Sequence, residues 1–527
     1  LPEPEAGPGE AVVRIRRVGI CGTDMHAFRG NQPYFTYPRI LGHELALTVV
    51  EAGPGMEKEW PAGMRLGIQP DIYLNGERHC IGVTVPGGMQ QYLLLDERVF
   101  RSDHGCAAFP VPDGLSCAAT AQLEPLACVE AAFRQWSRGG FDPKGKLLIH
   151  IHDDVQGGYV FDMDLSHRET VIVDRGGNAE KVGLGFLRDA KRASSAREAA
   201  EKFAGDGGFD DILVVGTPGR EEIAMLADAL SGSAVFCWLP DREPSATAPL
   251  DVAKVHYGKI NWIGAPTKKL SDAFAPARQR FELKKDGTLL IMGGVGAMGR
   301  MHALRALQLK DGPETVVVTG RRPERLRSLI DALEPVAKRS RKRIFGVAVD
   351  REWEKTIRAL AGEKGFDDII VCAPGAEPVN QSVPHLADDG MMVFFSGTGY
   401  GERAEVPVGK MAAKGARITA SSGSAVQDQM KVRRKIMAGE LEPDLNVSAV
   451  GGIFAAKEAV KAVAEGTFSG KIVIYPQLAD LPLLPLGRLG EYSGELARYV
   501  NANGWSREAE RMLFEISEKR RKGASGR

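Results

Sequence analysis

At 527 residues the chain is long enough for three or four domains of roughly 100–200 residues each. Its residues are 43% hydrophobic and 26% charged, with 62 glycines and 30 prolines, which excludes disordered, collagen-like and coiled-coil chains. Sixty-eight basic side chains cancel sixty-eight acidic ones, which argues against electrostatic capture of nucleic acid or an anionic membrane, and no apolar run reaches the roughly 18 residues of a membrane span.

Seven scattered cysteines do not form a disulfide framework, so a reducing, cytoplasmic setting is expected. No charged and apolar leader opens the chain. It starts at Leu1 and enters a strand at Ala11–Ile15, so some native N-terminal sequence is expected to be absent.

The first hundred residues are rich in Gly, Pro and short β-like runs such as Leu45 to Val50 and Gln91 to Leu95, the texture of an irregular β domain. From Pro125 to Arg138 the apolar spacing of Leu126, Val129, Ala132 and Phe133 predicts a helix. Thereafter short apolar strands alternate with helical stretches, the pattern of an α/β parallel sheet. That region contains an internal repeat. Lys146 to Ile149 recurs as Thr288 to Ile291, Glu169 to Val173 as Glu314 to Val318, and Gly208-Phe209-Asp210-Asp211-Ile212 recurs identically at Gly365 to Ile369. The expected plan is a β-rich domain over 1–140, tandem doubly wound domains over 141–275 and 276–424, a return segment over 425–480 and a C-terminal helical extension over 481–527. The extension starts with a Pro/Leu linker, Leu481 to Leu486. It then forms a helix capped by Ser506, with Ala509, Met512, Leu513 and Ile516 on one packing face.

The second repeat carries Gly294, Gly296 and Gly299 as G-x-G-x-x-G between an apolar strand and a predicted helix over Met301 to Leu309. A pyrophosphate needs bare backbone N–H groups at a helix N-terminus, so this turn is read as a dinucleotide loop. The next strand ends Thr319-Gly320-Arg321-Arg322, with two guanidiniums where a carboxylate would select NAD. Gly320, Arg321 and Arg322 therefore favour NADP(H) over NAD(H). In the first repeat the same turn reads His150-Ile151-His152-Asp153-Asp154-Val155-Gln156-Gly157-Gly158. Its aspartates would repel a pyrophosphate, so this repeat is read as degenerate and structural. His150 and His152 share a strand face with no further spaced ligand and are not read as a metal site. The basic run Lys338 to Arg343 is read as a solvated loop rather than a nucleic-acid site.

Near the N-terminus stand Gly19-Ile20-Cys21-Gly22-Thr23-Asp24-Met25-His26, then Gly42-His43-Glu44, and later Glu124-Pro125-Leu126. Cys, His and a carboxylate at a helix start are suitable zinc ligands. Taken singly, Cys21 reads more readily as a buried apolar residue, His43 as a core histidine and Glu124 as a helix-end charge. Together these motifs resemble the zinc-dependent medium-chain dehydrogenase/reductase (alcohol and polyol dehydrogenase) family, and Ile68-Gln69-Pro70 with Gly299-Arg300-Met301-His302 make the resemblance nearest to its sorbose-1-phosphate reductase and sorbitol dehydrogenase branch. The resemblance covers Leu1 to about Arg138 and about 276 to 476. It implies a GroES-like catalytic domain, a Rossmann domain and a return of the chain to the catalytic domain, here from about Gln427 through Ile474.

The same resemblance implies that Cys21, His43 and Glu124 hold one catalytic zinc, while Glu44 either ligates directly or holds the zinc-bound water. It makes Thr23 the partner of the substrate hydroxyl and His26 a later station of a proton relay. Cys80 stands alone where many relatives carry a four-cysteine structural zinc lobe, so one zinc is expected. The degenerate repeat is an insertion relative to the family. The implied activity is hydride transfer between NAD(P)(H) and a secondary alcohol or ketone, such as a polyol, sugar or sugar phosphate. The expected partners are this small-molecule substrate and further copies of the chain, as a dimer or tetramer. The rival readings are a zinc-free quinone-type reductase, against which the three ligands argue, and a non-catalytic nucleotide-binding scaffold, which the retention of Thr23 and His26 disfavours.

Overall fold

The computed structural model describes residues 3–30, 35–134, 138–500 and 504–525. Strand β1 (Ala11–Gly19) pairs antiparallel with β2 (Glu44–Ala52), and helix α1 (Gly22–Arg29) lies between them in sequence. Two short helices follow, α2 (Cys117–Ala121), capped by the Ser116 hydroxyl, and α3 (Leu123–Ala131). Helix α3 begins two residues before Pro125 and ends at Ala131, earlier than the periodicity suggests. Proline fits its first turn because N–H groups there have no intrahelical partner to lose.

The first repeat builds a six-stranded parallel sheet from β3 (Lys146–Ile151), β4 (Glu169–Asp174), β5 (Lys191–Ala193), β6 (Phe209–Val215), β7 (Leu230–Leu239) and an edge strand. A separate strand β8 (Ala248–Asp251) and helix α4 (Val252–Tyr257) precede that edge strand, β9 (Asn261–Gly264). The second repeat follows the same plan: β10 (Thr288–Met292), helix α5 (Ala297–Gln308), β11 (Thr315–Gly320), β12 (Arg343–Ala348), β13 (Phe366–Val371) and β14 (Leu386–Phe394). It closes with β15 (Arg403–Val406), helix α6 (Val408–Lys414) and β16 (Arg417–Ala420). The sheet orders are β5-β4-β3-β6-β7-β9 and β12-β11-β10-β13-β14-β16, the doubly wound order in which the third strand lies at one edge and the sixth at the other. Central strands such as Leu147–Ile151 and Leu289–Met292 are buried along their whole length, as a sheet covered on both faces requires. Among the described residues, no helix follows β3 in the first repeat, whereas α5 follows β10 in the second.

The chain then returns to the first sheet. Strand β17 (Val447–Gly452), helix α7 (Ala456–Glu465) and β18 (Lys471–Tyr475) come back, and β18 pairs with β1. The expected linker at Leu481 to Leu486 is instead partly strand. Its β19 (Leu484–Pro485) pairs with β17, and Leu481 and Leu484 are buried, because a leucine-rich run lowers its free energy by joining a sheet edge. The last helix, α8 (Arg507–Ser525), begins where Ser506 Oγ accepts the Ala509 N–H (3.0 Å), and its Ala509, Met512, Leu513 and Ile516 are buried. No helix is long and apolar enough to cross a membrane among the described residues.

Candidate active site

The site is organised by a carboxylate to which the sequence reading gave no role. Asp24 is buried and accepts the Cys21 N–H (2.9 Å) through one oxygen and the Gly42 N–H (2.9 Å) through the other. One side chain thus fixes both loops that carry the candidate ligands. Its Oδ1 also lies 3.9 Å from His43 Nδ1, outside hydrogen-bond reach, where its charge helps to raise the basicity of the ring. The spacing from Cys21 to Asp24 is that of a capping box at the start of α1, and that was the available signal.

Cys21, His43 and Glu44 bring one ligand atom each to within 4.8 Å of one another. Glu44 starts β2 opposite Gly19 at the end of β1. A Cβ on Gly19 would lie 2.1 Å from Glu44 Oε2, so glycine is needed there for the carboxylate to pass. Lys471 on β18 forms a buried ion pair with Glu44 Oε1, leaving Glu44 Oε2 buried and without a hydrogen-bond partner. Burial works against the Lys471 charge, but Glu44, Cys21 and Glu124 outweigh it and hold the ammonium protonated. The return of the chain therefore supplies a cation that sequence reading missed, since a lone lysine in a strand carries no motif.

Glu124 falls outside the 4.8 Å group but stands beside it at the start of α3. Burial raises its pKa, against the pull of His43 and Lys471 and together with Glu44. One helical turn on, the Cys128 thiol reaches Glu124 Oε1 at 3.5 Å. Burial opposes the charged form of His43, yet Cys21, Asp24 and Glu124 together raise its pKa well above the ordinary value. A knot of sulfur, imidazole and carboxylate that raises the basicity of its own histidine has a strong demand for positive charge. The Cys21 thiol also lies 3.8 Å from Thr23 Oγ1. His26 sits in the last turn of α1 with Nδ1 buried and without a hydrogen-bond partner.

In the glycine-rich turn, Gly293 has φ +70°, and a Cβ on Gly299 would lie 2.3 Å from the Gly294 Cα. Helix α5 can approach the turn only without side chains there. Gly296 caps α5 with no side chain bonded to its N–H groups, and a Cβ on it would meet nothing within 4 Å. The turn thus leaves an open cradle of N–H donors. The two arginines beyond β11 separate in role. Arg322 donates to the Glu465 carbonyl (2.8 Å) at the end of α7, bridging the two domains, while Arg321 is exposed.

The corresponding turn of the first repeat is internally consumed. Asp154 accepts the Thr217 N–H (3.1 Å) and pairs with His152 (2.7 Å) and Arg242 (2.9 Å). His150 pairs with Glu222 (2.9 Å), and Asp174 caps the backbone of Asn178 and Ala179. Cys80 is buried in an apolar cluster with Ala27, Phe35 and Val83, and burial pushes its thiol up to about 12.

Residues 7–102 match the alcohol dehydrogenase GroES-like domain. L-galactonate-5-dehydrogenase of Escherichia coli is 34% identical over 28% of this chain and 43% of its own length. D-arabitol-phosphate dehydrogenase of Enterococcus avium is 29% identical over 38% of this chain and 60% of its own. The chain thus spans less than two thirds of these relatives. In fold it resembles a zinc-binding dehydrogenase of Sinorhizobium meliloti solved with NADP (18% identity, 90% of this chain and 94% of that one, TM-score 0.51). It likewise resembles 2R,3R-butanediol dehydrogenase of Bacillus subtilis (15%, 90% and 95%, TM-score 0.52). A GroES-like domain bearing the Cys21, His43 and Glu44 cluster is joined to a doubly wound domain with an open glycine turn. Residues 7–102 carry the alcohol dehydrogenase GroES-like domain, and over longer stretches the chain is similar to alcohol and polyol dehydrogenases.

Proposed function

We propose that the protein is a zinc-dependent dehydrogenase that exchanges a hydride between NADP(H), preferred over NAD(H), and a secondary alcohol or ketone of the polyol, sugar or sugar-phosphate class. The observation that carries the reading is the Cys21, His43 and Glu44 group, whose donor atoms lie within 4.8 Å of one another, with Glu44 Oε2 buried and unpartnered. This donor set suits zinc. Cys21, His43 and Glu44 would hold the ion, with Glu124 as the exchangeable carboxylate beside them. A zinc ion there would supply a Lewis acid for the oxygen on the carbon being oxidised or reduced, and the dinucleotide would supply the hydride chemistry.

The chain's own residues do the positioning. Asp24 locks the two ligand loops, Lys471 aims Glu44, and the Thr23 hydroxyl takes up or delivers the substrate proton, with His26 as the next station towards solvent. Gly294, Gly296 and Gly299 receive the pyrophosphate on the N-terminus of α5. Gly320 lets Val295 of the glycine turn pack against the end of β11, where a Cβ would lie 2.4 Å from it, and Arg321, free of the domain bridge that occupies Arg322, meets a 2′-phosphate. The substrate class follows the relatives, among them D-arabitol-phosphate and mannitol-1-phosphate 5-dehydrogenases. The test is a panel of polyols, ketoses and their phosphates with both coenzymes, followed by nicotinamide absorbance. Turnover with at least one polyol or polyol phosphate, faster with NADP(H), is expected; no turnover across the panel with zinc-loaded protein contradicts the reading.

A further inference from the structure

The first repeat lacks a usable nucleotide turn, yet it is packed against the second with internal symmetry. Ladder positions Val235 and Met391 are equivalent in the two sheets, as are Asn261 and Arg417, each pair in the same register against its neighbouring strands. Carrying that constant separation along the chain makes β8 the counterpart of β15, with Pro249 equivalent to Glu405. These two strands pair antiparallel with each other: Ala248 opposes Val406, Pro249 opposes Glu405 and Leu250 opposes Ala404. The first and third pairs are exchanged by swapping the repeats, and the middle pair maps onto itself. The same exchange holds around the strands. Helix α4 of the first repeat packs on β16 of the second, α6 of the second packs on β9 of the first, and edge strands β9 and β16 lie side by side. Equivalent residues Arg417 and Asn261 also meet across the centre (3.5 Å).

An interface in which residue i meets j while j meets i is the isologous arrangement of a two-fold dimer. Here it lies within one chain. It is also apolar at its heart: Leu250, Val252, Val255 and Trp262 share one core with Ala404, Val406, Met411 and Ile418. The first repeat further braces the segment leaving β14, at the same carboxyl edge of the sheet as the glycine turn. His256 Nδ1 donates to the Phe394 carbonyl (3.0 Å), Val252 N–H to the Glu402 carbonyl (2.9 Å), and Asp251 accepts the Gly401 N–H (2.8 Å). We infer that the degenerate repeat is a built-in partner subunit. It saturates the two-fold face of the nucleotide-binding repeat from within the chain, so this face never pairs with a second copy. The inference is independent of the catalytic reading.

Lys414 and Glu243 form an ion pair across this face at 3.3 Å, both of them solvent-accessible, and this allows a test on the unaltered full chain. Light and heavy-isotope preparations are unfolded together, refolded, and cross-linked with a zero-length carbodiimide reagent. Peptides joining Lys414 to Glu243 are expected to carry matching labels only. Mixed-label peptides in appreciable yield would overturn the inference, because the face would then join two chains. As a second measurement, Pro249→Cys with Glu405→Cys is oxidised and run on a denaturing gel, since opposed positions on antiparallel strands lie within disulfide reach. A fast-migrating species of single-chain mass at every protein concentration supports the inference; a covalent dimer absent from either single variant overturns it.

Discussion

Gly19 shows how closely the ligand cluster depends on single atoms. A methyl group there collides with Glu44, whose other oxygen is pinned by Lys471, so Gly19→Ala is expected to lower zinc affinity about 10–100-fold, the range for displaced supporting groups. Metal titration monitored by competition with a chelator checks this. Glu44→Gln and Glu124→Gln separate the two carboxylates: the first is expected to lose zinc on dialysis, the second to retain it while losing turnover. The reverse result would restore Glu124 as the third ligand. Arg321→Ala is expected to weaken NADP(H) about tenfold, roughly 1.4 kcal/mol, and to leave NAD(H) unchanged; equal weakening by fluorescence titration would remove the case for 2′-phosphate recognition. The candidate residues Cys21, His43, Glu44 and Glu124 were legible only in combination, through the motifs they share. Asp24 and Lys471 were not, since one acts through backbone N–H groups and the other arrives from 427 residues away.

Among the elements, the C-terminal helix does more than pack. Glu510 on α8 accepts the N–H groups of Cys117 and Ala118 (2.9 Å each) at the start of α2 and pairs with the buried Arg17 (3.1 Å), whose guanidinium stacks on Tyr475 (3.6 Å). Helix α2 leads directly into α3 and Glu124, so α8 steadies one wall of the site. Removing one partner of a buried pair leaves an uncompensated charge, and Glu510→Ala is expected to cost about 3–5 kcal/mol in denaturant unfolding. Beside it, Asp444 accepts the Ser116 hydroxyl (2.8 Å). Burial, with help from Glu510, pushes Asp444 up to about 7. Its folded pKa is thus raised above the unfolded value. Between about pH 4 and 7 the unfolded chain has lost this proton and the folded one keeps it, so stability falls as pH rises through that window. Asp444→Asn keeps the acceptor and removes the charge. Relative to the parent it is expected to gain on the order of 1–3 kcal/mol at pH 8 and nothing at pH 4, measured by unfolding at both values. The Ser506 cap and the apolar face of α8 were legible because local spacing carries them. The strand at Leu484–Pro485 was not, because its partner Ala449–Val450 is distant in sequence.

For the whole molecule, the repeated Gly-Phe-Asp-Asp-Ile segment announced two sheets, and the structure gives both the same strand order. In each repeat the two aspartates act alike: Asp211 holds Arg138, and Asp368 holds Arg280, where the chain enters its sheet. The segment is therefore kept for architecture, even in the repeat that has lost the nucleotide turn. The two-fold meeting of β8 and β15 was not legible, since neither strand has a marked pattern and the symmetry lies in their register. The proposed function stands on Cys21, His43 and Glu44 forming a zinc centre beside a dinucleotide fold. Elemental analysis of the purified full chain and its Cys21→Ser variant decides whether that centre exists. One zinc per chain, lost in the variant while nucleotide binding persists, is predicted; a chain that takes up no zinc, or a variant that holds it as tightly as the parent, would contradict it.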